Sequence, residues 1–180
     1  MKTIWFTADT HFGHANIIKH SYRPFKDVEE MDARIINQWN GLVVPGDDVY
    51  HLGDFAFTHK KAEVNRYIDR LNGNIHLIAG NHDHKNTRKA SFASVDYYKR
   101  LIIDDKVLIL SHYPMVTWDM SHYGSIMVHG HCHGNLNIND NAKRYDVGID
   151  CNSFSPVPFE IIKARTHVLG IAKYDHHGEG

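Results

Sequence analysis

Five apolar runs in this chain have the look of short β-strands, and each ends in a small polar cluster. The clusters are Asp9-x-His11, Gly53-Asp54, Gly80-Asn81-His82-Asp83, His112 and Gly130-His131-x-His133. A chain with this pattern has to gather strand ends from distant parts of its sequence, so that the polar residues collect at loops on one side of a packed core. The residue types then suggest what is gathered there. Carboxylates can bridge cations, neutral imidazoles suit borderline transition metals, and an amide oxygen adds a ligand without adding charge. The pattern as a whole is that of a hydrolytic centre holding two divalent metal ions.

Composition narrows the field further. A length of 180 residues fits one domain, 1–180, with a real core. Lys and Arg number 20 against 21 for Asp and Glu, a formal charge of -1. That balance gives no whole-molecule field for a long polyanion, so nucleic acid is a conceivable partner only through a local contact, without a strong basic patch. Sixteen histidines are many for a chain of this length, and five of them stand in the clusters above. Only two cysteines occur, Cys132 and Cys151, and they form no C-x-x-C pair, which favours a reducing, cytoplasmic setting. The apolar stretch 1–8 is too short for a secretory core and runs into Asp9. No stretch reaches the roughly 18 to 20 apolar residues that cross a bilayer, so a soluble protein without a membrane partner is expected.

Periodicity predicts a strand over 3–8, a helix over 29–39 with Met31, Ile35, Ile36 and Trp39 on one face, and a strand over 49–52. A helix over 60–71 carrying Val64, Tyr67, Ile68 and Leu71 follows, then a strand over 75–79. The second half is richer in strands, predicted over 95–98, 101–103, 107–110, 126–129, 145–149 and 167–172. A βαβαβ start followed by a strand-rich remainder suggests an α/β (α+β) fold of two packed sheets flanked by helices. The polar tail from His176 to Gly180 is expected to be loose.

Each cluster also has a plainer reading. Asp9-x-His11 and Gly53-Asp54 are ordinary turn pairs when taken alone, yet a carboxylate at Asp54 can bridge ions about 3.5 to 4 Å apart. In Gly80-Asn81-His82-Asp83 the glycine permits an unusual backbone angle, Asn81 offers an oxygen ligand, and His82 points elsewhere as an acid. Asp83 could orient the His82 imidazole, while an Asx-type turn is the plainer alternative. His112 alone would more often be structural. Strand alternation would direct His131 and His133 to one face and Cys132 to the other, as a buried structural thiol.

With all five blocks in this order, the chain resembles the calcineurin-like metallophosphoesterase superfamily. The stretches Asp9-Thr10-His11-Phe12-Gly13-His14, Arg23-Pro24-Phe25 and Val49-Tyr50-His51-Leu52-Gly53-Asp54-Phe55 look like its small single-domain bacterial and phage members. The resemblance implies a four-layer αββα sandwich of two mixed sheets. It also implies that Asp9, His11 and His133 serve one ion, Asn81, His112 and His131 the other, with Asp54 bridging and His82 as the catalytic acid. An in-line attack of activated water on phosphorus would follow. The donor set accepts manganese, iron, zinc, cobalt or nickel, and the resemblance leans towards manganese.

Arg23 is favoured as a substrate contact because a guanidinium can pair with phosphate, with a solvated surface charge as its alternative. His14 has a similar balance. Tyr113, Trp118 and Tyr123 could stack on a nucleobase or simply pack in the core. A metallo-β-lactamase-like reading fails because the His-x-His tract comes late and leaves the earlier blocks unexplained. A non-catalytic metal-binding module would have no use for a separate acid at His82. The substrate is expected to be a small phosphorylated or nucleotide-like molecule, with a phosphodiester favoured over a phosphomonoester. Oligomeric state is not readable.

Overall fold

A computed structural model describes residues 2–138 and 140–171. Its elements run β1 (Ile4–Thr7), α1 (Ala15–His20), α2 (Val28–Leu42), β2 (Asp48–His51), α3 (Lys61–Ile68) and β3 (Asn74–Ile78). They continue with β4 (Ser94–Asp96), β5 (Tyr98–Ile103), β6 (Lys106–Ser111), β7 (Ile126–His129), β8 (Arg144–Asp146), β9 (Val157–Pro158) and α4 (Phe159–His167). Two mixed sheets result, with strand orders β4-β3-β2-β1-β9 and β5-β6-β7-β8. In the first, β1 to β4 are parallel and β9 is antiparallel. In the second, β6, β7 and β8 are parallel and β5 is antiparallel to β6. This is the expected α/β architecture of two sheets with flanking helices.

Period-two alternation explains why the sheets stack. On β6 and β7, Leu108, Leu110, Ile126 and Val128 join Phe6, Tyr50 and Ile78 in the core between the sheets. The intervening Ile109 and Met127 face outward onto Trp118 and Ala142. The other face of the first sheet gives Val49, Ile75 and Leu77 to α2, which answers with Met31, Ile35, Ile36 and Trp39 at helical spacing. Asp27 starts that helix by accepting the Glu30 amide at 2.8 Å, and Glu30 in turn accepts from Lys26 N.

The end of the chain differs from expectation. Residues 159–167 form α4, and Phe159 and Ile162 enter the core between the sheets. The strand expected over 167–172 is absent from 167–171, where only Gly170 bridges to Ala142, and Ala172 lies outside the described residues. A helix beginning immediately after Pro158 buries Ile162 and Thr166 one turn apart, a periodicity masked by the polar Lys163 and Arg165. Helix α1 and strand β9 also escaped the periodicity, because both are too short to show one. The tail 176–180 lies outside the described residues.

Candidate metal centre

Parallel pairing of β1 with β2 continues past the strand ends and brings the first two clusters together. The amides of Asp9, His11 and Phe12 donate to the carbonyls of Gly53, Asp54 and Phe55 at 3.0, 2.9 and 3.0 Å. Gly130 N donates to His112 O at 3.1 Å, extending β7 along β6 in the same way. The two sheets are then stitched at their carboxyl edges by His131 N, which donates to Asp9 Oδ2 at 2.9 Å. The site therefore stands where open parallel sheets place ligands, outside the carboxyl ends of strands.

Glycine makes the close approach possible. A Cβ on Gly53 would lie 2.5 Å from His112 Nδ1 and 2.7 Å from the Gly80 backbone, so neither loop can move in unless this residue has no side chain. The backbone is strained beside it. Asp9, His11, Asp54, His131 and His133 all adopt positive φ, between 48° and 69°, at about 1 to 3 kcal/mol each. Alternation along a strand therefore does not align His131 and His133, as the sequence suggested. Both lie beyond β7 in left-handed turns, and the intervening Cys132 is partly exposed rather than buried.

The expected ligands assemble into two groups. Ligand atoms of Asp9, His11 and His133 lie within 4.8 Å of one another, and so do those of Asp54, His112 and His131. Asp54 stands between them: its Oδ2 is 3.6 Å from His11 Nε2 and 3.5 Å from His112 Nε2. Asn81 Oδ1 is 3.0 Å from His112 Nε2. Because Leu52 O can only accept, the 2.7 Å contact makes His112 Nδ1 the donor and turns a bare Nε2 towards that amide oxygen. Two acceptors facing each other suit a cation between them.

Three further features fit positive ions. Both ring nitrogens of His11 are buried without a hydrogen-bond partner, an arrangement that is costly unless a ligand is intended there. Burial, followed by the Asp54 and Asp146 charges, pushes the Asp9 carboxyl well above the usual range, and burial raises Asp54 as well. Burial also holds His11, His112 and His131 below the ordinary imidazole range, in the neutral form that ligates metals.

The structure reassigns two expected residues. Arg23 does not reach the cavity. Its buried guanidinium grips Asp150 in a two-pronged pair at 2.8 and 2.9 Å and donates to Asp9 O at 2.7 Å and Thr10 O at 3.2 Å. Asp150 in turn contacts His133 Nδ1 at 2.6 Å, which leaves Nε2 for the centre. Burial works to raise Asp150, but the His133 and Arg23 hydrogen bonds outweigh it and hold the carboxyl below its usual range. Asp83 does not touch the His82 imidazole either. Its buried carboxylate collects the amides of Asp54, Phe55 and Gly80 at 2.8, 3.0 and 2.8 Å and so ties two ligand loops together.

A cavity of about 390 Å³ opens over both groups, lined by His11, His14, Ile17, His20, Asp54, Phe57, Asn81, His82, His131 and His133. His82 is held by its amide, which donates to Asp54 Oδ1 at 2.8 Å, while its ring borders the cavity. His14, the expected substrate contact, lines the wall and stacks on Phe57 at 3.9 Å and 9°. Tyr113, 48 % exposed, meets the His131 ring at 4.7 Å. Trp118 is instead buried with its indole N–H on Ser125, and Tyr123 lies against His122 away from this cavity. Asp150 and Phe57 are the residues that sequence reasoning missed. Asp150 reaches His133 only because Ile149 N bonds to Ala8 O, a contact with no local sequence signal.

Comparison with known proteins bears on the family and the fold. The chain is 38% identical over 168 residues to the uncharacterized protein MJ1445 of Methanocaldococcus jannaschii, covering 90% of each. It is 25% identical to the Gene 66 protein of Mycobacterium phage L5, over 100% of this chain and 99% of that one. Among solved structures, the protein of unknown function AQ665 from Aquifex aeolicus superposes with a TM-score of 0.75 at 25% identity, over 92% of this chain and 100% of that one. An archaeal phosphodiesterase shares the fold at a TM-score of 0.51 and 21% identity, over 81% of this chain and 83% of that one. A family model described as calcineurin-like phosphoesterase matches residues 2–177. With nearly the whole sequence matched, the chain belongs to the calcineurin-like phosphoesterase family.

Proposed function

We propose that this chain is a phosphodiesterase of nucleotide-like substrates that works with two divalent cations, manganese being the favoured ion. One observation carries the reading: a single carboxylate oxygen of Asp54 stands within 3.6 Å of a ring nitrogen in each ligand group. Asp9, His11 and His133 would hold one ion, and His112, His131 and Asn81 the other, with Asp54 shared. Ions held there would supply Lewis acidity to a phosphoryl oxygen and lower the pKa of a water.

The chain's own residues supply the rest. His82, fixed through its amide but with its ring bordering the cavity, is placed to give a proton to the departing oxygen. Asp83 and Arg23 hold the loops so that the ligand atoms converge before substrate arrives. Phe57 and Tyr113, each 48 % exposed beside site histidines, offer apolar surface for an organic group on either side of the phosphate. A bare monoester would use only one such surface. That is why a diester is favoured.

The test is hydrolysis of bis-p-nitrophenyl phosphate beside p-nitrophenyl phosphate, using metal-stripped protein refilled with manganese. Metal-dependent turnover with a higher kcat/KM for the diester is expected. A higher kcat/KM for the monoester would make the protein a phosphatase, and no turnover of either with two ions bound would favour a binding module.

A further inference from the structure

Phe57 is a wall shared by two cavities. On one side is the pocket over the candidate ligands; on the other is a groove of about 340 Å³ lined by Gly13, Phe57, Glu63, Arg66, Tyr67 and Arg70 among others. Both volumes fall within the roughly 300 to 1,000 Å³ of small-molecule sites. We propose that this groove is a second subsite, which receives the phosphate-bearing neighbouring nucleotide of a short phosphodiester chain. The proposal rests on the reading of the metal centre as a phosphodiesterase and extends it to a substrate class.

Three features of the groove match that ligand. First, one face of the Phe57 ring is covered by His14 at 3.9 Å and 9°, yet the residue is 48 % exposed. His14 lines the metal pocket and not the groove, whereas Phe57 lines both, so part of its exposed ring borders the groove and offers a stacking surface for a base there. Second, Arg66 and Arg70 stand one helical turn apart on and just beyond α3, both exposed. Neither guanidinium lies within 4.0 Å of a carboxylate among the described residues. Two forked donors at this spacing suit a terminal phosphate. Two carboxylates feel these charges, and both are already engaged: Glu63, near Arg66, by the Thr58 hydroxyl at 2.5 Å and the Lys60 ammonium at 2.9 Å, and Asp32, near Arg70, by the Tyr67 hydroxyl at 2.8 Å and the Gly13 amide. Third, Gly13, two residues beyond His11, leaves the floor low. A Cβ there would sit 3.1 Å from the Tyr67 hydroxyl, which is itself fixed on Asp32 at 2.8 Å.

Electrostatics alone would make Arg66 and Arg70 ordinary solvated charges. Their position across an exposed aromatic ring from the hydrolytic pocket gives them a ligand. A substrate with its scissile phosphate at Asp54 and His82 would continue past Phe57, stack its next base there, and end its phosphate at the two arginines.

Calorimetry on the manganese-loaded protein tests this with two thymidine dinucleotides joined by a slowly cleaved phosphorothioate, one carrying a terminal 5′-phosphate and one without it. The terminal phosphate should tighten binding about tenfold or more. The double variant Arg66→Gln, Arg70→Gln should erase that advantage and alter the unphosphorylated dinucleotide by less than about twofold. Phe57→Leu should weaken both dinucleotides alike by about fivefold or more. An advantage missing from the wild type, or surviving in the double variant, would overturn the subsite; unchanged binding by Phe57→Leu would remove the stacking surface from it. If the expected binding pattern holds but bis-p-nitrophenyl phosphate is not hydrolysed, the phosphodiesterase reading falls and the subsite remains. Hydrolysis without a terminal-phosphate advantage has the opposite meaning.

Discussion

In the first ligand group Asp9 and His133 are braced from behind by a buried ion pair, whereas in the second Asp54 and His112 are held by amides on the lone Asp83 carboxylate, a backbone carbonyl and glycine contacts. In the first group, Arg23 ties the Asp9 backbone to Asp150, and Asp150 ties down His133. In the second, His112 leans on Leu52 O while His131 remains exposed to the cavity. A buried charge pair is rigid because loosening it strands a charge in a low-dielectric interior. A carbonyl contact beside an open face tolerates exchange. The difference teaches that the first group is tied by a charge pair while the second stands more open to the cavity; with two ions held as proposed, a chelator should remove the one at the second group first.

Four variants would break or sharpen that contrast. His82→Ala should lower kcat roughly 100- to 10,000-fold while metal analysis still finds both ions; loss of an ion would mean that His82 ligates. Asp150→Asn should weaken metal affinity about 10- to 100-fold at the first group alone, seen as one weakened site of two in a cobalt titration. Equal weakening at both sites would mean the brace serves the whole loop cluster. Gly53→Ala should cost about 1 to 3 kcal/mol of stability and displace the His112 side, since its Cβ has no room against His112 and Gly80 and the φ of 93° suits only glycine. A melting curve unchanged by this substitution would remove the close-contact argument for the second group.

The fourth effect is smallest and concerns acid. His51 is buried behind both groups with Nε2 on Thr10 Oγ1 at 2.9 Å, and burial followed by the His112 charge lowers its pKa to about 3. Unfolding returns it to about 6.5. The folded state therefore binds fewer protons between those values, and stability present above about 6.5 is lost as pH falls towards 3. Thermal melts of metal-free His51→Asn should show a shallower acid slope than the wild type, and parallel slopes would locate the sensitivity in the ligand histidines.

How much of this was open to the sequence depends on the distance over which each feature is decided. The helix carrying Met31, Ile35, Ile36 and Trp39 and the strands 49–52, 75–79 and 126–129 follow from local periodicity and are present to within a residue or a few at their ends. Residues 159–167 misled because Pro158, Lys163 and Arg165 hid a helix whose apolar positions make sense only against the space between two sheets. Arg23 misled because an arginine near a ligand block is equally suited to phosphate and to a buried carboxylate. The nearer carboxylate, Asp150, is 127 residues away in the chain.

The sequence by itself determined which side chains are offered to the candidate centre, since the identity and order of Asp9, His11, Asp54, Asn81, His82, His112, His131 and His133 are a matter of residue types at strand ends. Only the tertiary structure decided what holds and surrounds them: Asp83 on three amides, Asp150 behind His133, and Phe57 between two cavities. The reason is physical. Ligand type is a local property of a side chain, whereas a hydrogen bond or a shared wall exists only once sheet packing has brought distant segments within a few ångströms.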